Sequence, residues 1–139
     1  MQFKVKLILS LFLLFLIKIV QSQSNNFLNI DSIKPPKNYD NIFVKPLNTD
    51  SLEVSSFLIF IKKEVKLHKH LLHAEHVYIL EGNGIMQLGE QIKAIKKGDF
   101  IFIPKNTFHA VKTTSEIPLK VISLQAPFFD GTDRILKQE

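Results

Sequence analysis

Four of the five histidines in this chain fall in one short stretch, His68-Lys69-His70-Leu71-Leu72-His73-Ala74-Glu75-His76, with a carboxylate among them. Imidazole and carboxylate side chains together form the kind of donor set that holds a divalent metal ion through nitrogen and oxygen. Spacing decides which of them can cooperate. His68 and His70 are two apart, so on a β-strand both side chains leave the same face and can converge on one point. Glu75 follows Leu71–Ala74, a connection of hairpin length, and a carboxylate at the start of the next strand can face that same point. Along that strand Val77 and Ile79 share the face of Glu75, whereas His76, Tyr78 and Leu80 take the other. The fifth histidine, His109, lies far downstream. It follows a strand, a Pro104-Lys105-Asn106 turn and the opening of a returning strand.

These positions matter only if strands carry them. From Ser51 onward, short segments rich in β-branched and aromatic residues alternate with turn signals. The candidate strands are Leu52–Ile61, Lys66–His70, Glu75–Leu80, Gly84–Leu88, Gln91–Ile95, Phe100–Ile103, Phe108–Lys112 and Leu119–Leu124. Between them stand Gly82-Asn83-Gly84, Gly89-Glu90, Lys97-Gly98-Asp99, Pro104-Lys105-Asn106 and Ser115-Glu116, which point to antiparallel strands joined by hairpins. No segment beyond the first residues sustains a 3.6-residue period over three turns. So many short strands must close on themselves or stack as two sheets to hide their edges. Residues 23–50, punctuated by Pro35-Pro36 and Pro46, read as an extended arm with a short edge strand at Asn41–Lys45.

With the strands in place, residues 62–113 resemble the two motifs of the cupin superfamily. The first, G-x5-H-x-H-x3–4-E-x6-G, is met by His68, His70, Glu75 and Gly82; the second, G-x5-P-x-G-x2-H-x3-N, by Gly98, Pro104 and His109. Seven residues thus hold fixed offsets in two separate blocks. Three positions depart: Lys62 and Asn106 stand where glycines are expected, and Thr113 replaces the last asparagine. Asparagine tolerates the left-handed backbone better than most residues, so the turn at Asn106 can survive. The resemblance implies an all-β antiparallel jelly-roll barrel over residues 51–125. It also implies that His68, His70, Glu75 and His109 ligate one divalent ion inside the wider end. Fe, Mn, Ni, Co and Zn all suit such a set, and the open positions would take water, dioxygen or a chelating substrate.

Composition narrows the function classes. The chain has 139 residues, room for one domain, and no cysteine, which excludes thiolate ligands, cysteine nucleophiles and disulfides. Met1–Lys6 is basic, Leu7–Ile17 is apolar, and Val20-Gln21-Ser22 puts small or modest residues at the −3 and −1 positions of a cleavage site after Ser22, the order of a cleavable signal peptide over residues 1–22. A retained membrane anchor is the rival, but the run is shorter than the ~20 apolar residues needed to span. Export to the periplasm or the extracellular space is expected. Cleavage removes Lys4, Lys6 and Lys18 and no acid, so the formal charge falls from +5 to +2. The remaining lysines do not interleave with aromatics as a nucleic-acid surface would, so no nucleic-acid partner is expected. After cleavage no membrane partner is expected either.

The other conspicuous residues have plainer readings. His73 reads as an exposed loop residue, His76 as packed or solvated, and Tyr78 as core or interface packing. Phe100, Phe102 and Phe108 read as barrel filling or dimer surface. The tail over residues 126–139 reads as packed, with an Asp130-Gly131 turn and a surface ion pair, rather than offering Asp130 or Arg134 to a substrate over the mouth. No nucleophile elbow or triad order is recognisable. The expected function is that of a metal-dependent enzyme, dioxygenase-like or isomerase-like, acting on a small oxygenated molecule. Glu75 is its one acidic candidate beside the ion for proton transfer. The alternatives are a non-catalytic exported cupin that binds a sugar, a carboxylate or the metal itself, and a structural barrel with an empty site. A homodimer is expected.

Overall fold

The computed structural model describes residues 27–47 and 53–138, so the leader expected over residues 1–22 lies outside the described residues. After a single 3-10 turn at Ile30–Ser32 come β1 (Ile42–Pro46), β2 (Ser55–Ile61), β3 (Glu64–Lys69), β4 (Ala74–Glu81) and β5 (Asn83–Leu88). Then follow β6 (Gln91–Lys96), β7 (Phe100–Ile103), β8 (His109–Thr113), β9 (Leu119–Ala126) and β10 (Ile135–Leu136). They form two five-stranded sheets of order β1-β2-β9-β4-β7 and β10-β3-β8-β5-β6. Every pairing is antiparallel, and the two sheets face each other as a jelly-roll barrel.

The inward faces follow the two-residue alternation of a pleated sheet. On β9, Leu119, Val121, Ser123 and Gln125 are all buried, and the first two join Ile61, Ile79, Met86, Ile95 and Ile103 in the apolar core. Each such side chain contributes about 1.5–3 kcal/mol when withdrawn from water. The core occupies one end of the barrel, and along β9 the inward face turns polar from Ser123 onward.

Hairpins account for fewer connections than expected. Gly89-Glu90 closes a tight one, with Leu88 opposite Gln91 and Gly89 at φ +57°. The connections on either side of the histidine stretch differ: β3 belongs to one sheet and β4 to the other. Residues 70–73 therefore carry the chain across the barrel, and Glu75 faces His68 from the opposite wall instead of from the adjacent strand. The β7–β8 connection crosses in the same way. The arm pairs as expected, β1 running along β2 as an edge. It is tied down by Lys120, buried on the outer side of β9, whose Nζ reaches Glu81 at 2.9 Å and Asp31 at 3.3 Å. Phe100 and Phe102 stand outside the barrel, half or more exposed and stacked on His76, so they do not fill it.

Glycine is required for different reasons at two positions. A Cβ on Gly84 would lie 2.7 Å from Leu119 Cδ1 and 2.8 Å from the Lys112 carbonyl oxygen, whereas one on Gly98 meets nothing within 4 Å. Gly98 instead needs its φ of +93° for the β6–β7 turn. Gly84→Ala is expected to cost about 1–3 kcal/mol by overpacking, and Gly98→Ala about 1–2 kcal/mol by backbone strain. Denaturant titration of both variants checks this. Because only the Gly84 cost is relieved by trimming the neighbour, adding Leu119→Ala should recover part of the Gly84→Ala penalty beyond simple additivity, and none of the Gly98→Ala penalty.

Candidate metal centre

His68, His70, Glu75 and His109 are all buried and line a single cavity. A local irregularity puts the first pair there. Val65 stands opposite Val111, but His68 stands opposite His109, so the β3–β8 register slips by one residue between them. On a regular strand Val65 and His68, three apart, would face opposite ways; a one-residue bulge turns both inward. The bulge also presents the Lys66 carbonyl to His68 Nδ1 at 2.8 Å. His109 Nδ1 likewise meets the Thr107 carbonyl at 3.0 Å, and His70 Nδ1 meets the carbonyl of Asp133.

A carbonyl oxygen can only accept, so each Nδ1 carries a hydrogen, and in a neutral ring that leaves the Nε2 lone pair free for a ligand. One ring nitrogen from each of His68, His70 and His109 lies within 4.8 Å of the others. Glu75 approaches from β4, its Oε2 3.4 Å from His109 Nε2 and 3.8 Å from His70 Nε2. At 3.4 Å the contact with His109 is an electrostatic approach rather than a hydrogen bond, and His109 Nε2 is buried without a hydrogen-bond partner. The other carboxylate oxygen accepts from Ser123 Oγ at 2.6 Å, and Gln125 Nε2 donates to that hydroxyl at 3.3 Å. Lone pairs gathered around a carboxylate repel one another on their own and attract a cation. The backbone partners behind the rings are the support that imidazole ligands require. The donor set fits a divalent ion.

The electrostatics agree. Burial pushes His68 down to about 3, helped by the neighbouring His109 and Arg134, so its imidazole is neutral at ordinary pH. Burial alone would raise Glu75, but the adjacent His109 ring and the Ser123 hydroxyl outweigh it and bring it down to about 2. Glu75 is a carboxylate throughout the physiological range.

Two expectations need correction. His73 is not an exposed loop residue. It is 2% exposed, its Nδ1 3.0 Å from Asp133 Oδ2 and its ring against His70 and Phe129. The reason is the tail, which folds back over the connection. Asp133 accepts from the backbone N–H groups of Leu71 (2.9 Å) and Leu72 (2.7 Å), and Ile135 pairs with Lys69 across β10 and β3. Among the described residues the tail makes no surface ion pair either. Asp130 turns onto Thr132, while Phe129 and Arg134 line the cavity. His76 and Tyr78 do face away from the centre, as the strand alternation implied.

Sequence reasoning missed Asp133, Ser123 and Gln125. Ser123 and Gln125 had a signal, since they continue the inward face of Leu119 and Val121 with polar groups. Asp133 had none, because its role arises from a long-range return of the chain.

A cupin-domain family model matches residues 59–125. An uncharacterized protein of Methanocaldococcus jannaschii is 30% identical over 109 residues, covering 74% of this chain and 87% of its own. Among solved structures, a double-stranded β-helix protein of Klebsiella pneumoniae superposes with a TM-score of 0.67 at 15% identity, over 84% of this chain and all of its own. Streptomyces Pac13, described as a nucleoside dehydratase, superposes at 0.63 with 14% identity, over 72% of this chain and 82% of its own. At such identities the likeness carries the fold. The chain belongs to the cupin superfamily.

The pKa directions set the acid sensitivity of the metal-free protein. The unfolded chain protonates His68 near 6.5 and Glu75 near 4.5, well before the folded protein does. Acid therefore favours unfolding. Stability from His68 is complete above pH 6.5 and is lost as pH falls toward 3; that from Glu75 is complete above 4.5 and lost toward 2. Urea unfolding of metal-free protein between pH 7.5 and 4.5 should show a falling free energy, with a flatter profile in His68→Gln. A profile of equal slope in both proteins would contradict the assignment.

Proposed function

We propose that the chain is a metal-dependent cupin enzyme, dioxygenase-like or isomerase-like, that acts on a small oxygenated molecule. His68, His70, Glu75 and His109 would hold its one divalent ion. The observation that carries this reading is the shared pinning of three buried imidazoles by backbone carbonyls, which leaves their free nitrogens grouped beside an ionised carboxylate. The ion would supply Lewis acidity to an oxygen of the bound molecule. The residues do the rest. The carbonyls of Lys66, Thr107 and Asp133 hold the rings in the ligating tautomer, and Ser123 keeps one Glu75 oxygen occupied. The apolar walls exclude water from the cavity. Glu75 is the base closest to any proton that a bound molecule releases there. Pac13 is described as a nucleoside dehydratase, and structures of its variants carry uridine. That likeness supports small-molecule chemistry in a barrel of this size and leaves the reaction open.

Metal analysis after purification and re-loading tests the centre. His70→Ala and His109→Ala should each weaken metal binding by more than ~100-fold, since loss of a mere supporting partner costs about 10–100-fold. Retention of stoichiometric metal by both variants would end the reading. Turnover on a substrate panel by loaded wild type but not by loaded His70→Ala separates an enzyme from a non-catalytic binding protein.

We also propose that residues 1–22 direct export and are removed, on the order of basic, apolar and small residues. N-terminal sequencing of the protein from its native compartment should begin at Gln23, or at Asn25 if cleavage follows Ser24. A product beginning at Met1 in the membrane fraction would instead mark a retained anchor.

A further inference from the structure

The cavity that reaches the histidines has a volume of about 190 Å³, and most of its wall is aliphatic. Ile59, Val77, Ile101 and Val121 line its depth, and Phe129 sets an aromatic ring beside His70 at the mouth. Beyond the four centre residues, Gln125 and Arg134 are the only polar side chains among the described residues that line it. They are chemically complementary. Gln125 is buried, its amide nitrogen spent on Ser123 and its Oε1 without a partner among the described residues. Arg134 brings a guanidinium that forms no hydrogen bond or ion pair with any described residue; its backbone N–H bonds the Thr132 carbonyl at 2.9 Å.

Arg134 is an exposed residue, and its backbone is held on both sides. Asp133 before it is anchored to the Leu71 and Leu72 amides and to His73, and Ile135 after it pairs with Lys69. The one carboxylate next to it in sequence is therefore committed to the crossing loop and does not neutralise it. Its charge reaches the centre, where it adds to the depression of the His68 imidazole. Guanidinium is the side chain best shaped for a carboxylate, which it grips through two parallel N–H donors.

We infer that Arg134 is the anion-binding residue of this cavity, and that the ligand is a small monocarboxylate with an aromatic or branched apolar body. The carboxylate meets Arg134, the body lies against the aliphatic wall and Phe129, and a hydroxyl or N–H on the body donates to Gln125 Oε1. A cavity of about 150 Å³ holds benzene, so this one takes a ring bearing one or two substituents. A polyhydroxylated sugar acid would set most of its hydroxyls against groups that cannot bond them. The inference rests on the proposed reading of this cavity as the ligand site and narrows its substrate class. It does not depend on whether metal is bound.

The test is calorimetric titration of the metal-free mature protein with three probes: benzoate, benzyl alcohol and glucuronate. Wild type should bind benzoate at least tenfold more tightly than either of the others. Arg134→Gln should lose tenfold or more for benzoate and stay within twofold of wild type for benzyl alcohol, with Arg134→Lys in between. The thermal midpoint of Arg134→Gln should match that of wild type, because the guanidinium holds no part of the fold. Equal benzoate affinity in wild type and Arg134→Gln, tighter binding of glucuronate than of benzoate, or no benzoate binding at all would each overturn the inference. Should Fe, Mn, Ni, Co and Zn all fail to rebind while benzoate still discriminates Arg134, the metal reading falls and this one stands.

Discussion

A buried imidazole is costly if its N–H is left unbonded, and this barrel buries three imidazoles around one carboxylate. The structure meets that constraint with backbone carbonyls, and each one comes from a place where regular pairing breaks down. Lys66 offers its carbonyl because β3 bulges, Thr107 because the chain has not yet entered β8, and Asp133 because the tail returns across the crossing loop. Within an unbroken ladder those oxygens would be spent on neighbouring strands. The irregularities are thus the means by which a sheet, whose polar groups are otherwise consumed by pairing, can orient side chains.

The same constraint explains how the two ends of the barrel divide their roles. At the core end the inward residues are Ile, Leu, Val and Met, which pack without regard to hydrogen bonding and supply the stability. At the other end the inward faces of the same strands turn polar, with Gln125 on β9 opposite Glu75 on β4 and Ser123 bonded to it from two residues along. A carboxylate in such a place survives only because its neighbours favour the ionised form more than burial disfavours it, and Glu75 ends well below its ordinary value. The apolar end makes that polar end affordable.

Much of this was legible in the residues. Alternating segments and glycine breaks give most of the strands. The His68-x-His70 pair, Glu75 and the distant His109 were singled out by type and spacing, and the structure brings all four to one cavity. Sequence spacing alone could not tell a hairpin from a crossover. The four residues Leu71–Ala74 are long enough for either, and which one forms depends on the sheet that β4 joins. The bulge was equally hidden, since a one-residue slip leaves no mark in composition. His73 was misjudged for a related reason. A histidine in a short loop is ordinarily exposed, and only the tail, some sixty residues later, covers it. Local patterns carried the local structure; what failed to show was whatever depended on distant segments meeting.

The tail illustrates how such a meeting binds fold and site together. Asp133 uses its carboxylate to hold the crossing loop and His73, and its carbonyl to hold His70, so one residue ties the loop, the tail and a centre residue to one another. Asn106, at φ +59°, braces the loop from the other side: its N–H bonds the His70 carbonyl at 2.6 Å, and its side chain takes Lys69 Nζ at 2.7 Å. The residue that departs from the usual glycine therefore adds a contact that glycine could not make. His70 is gripped through both its ring and its backbone by segments far apart in sequence. Any motion of the tail must loosen the ring at once, and the ring can be no better placed than the tail is docked.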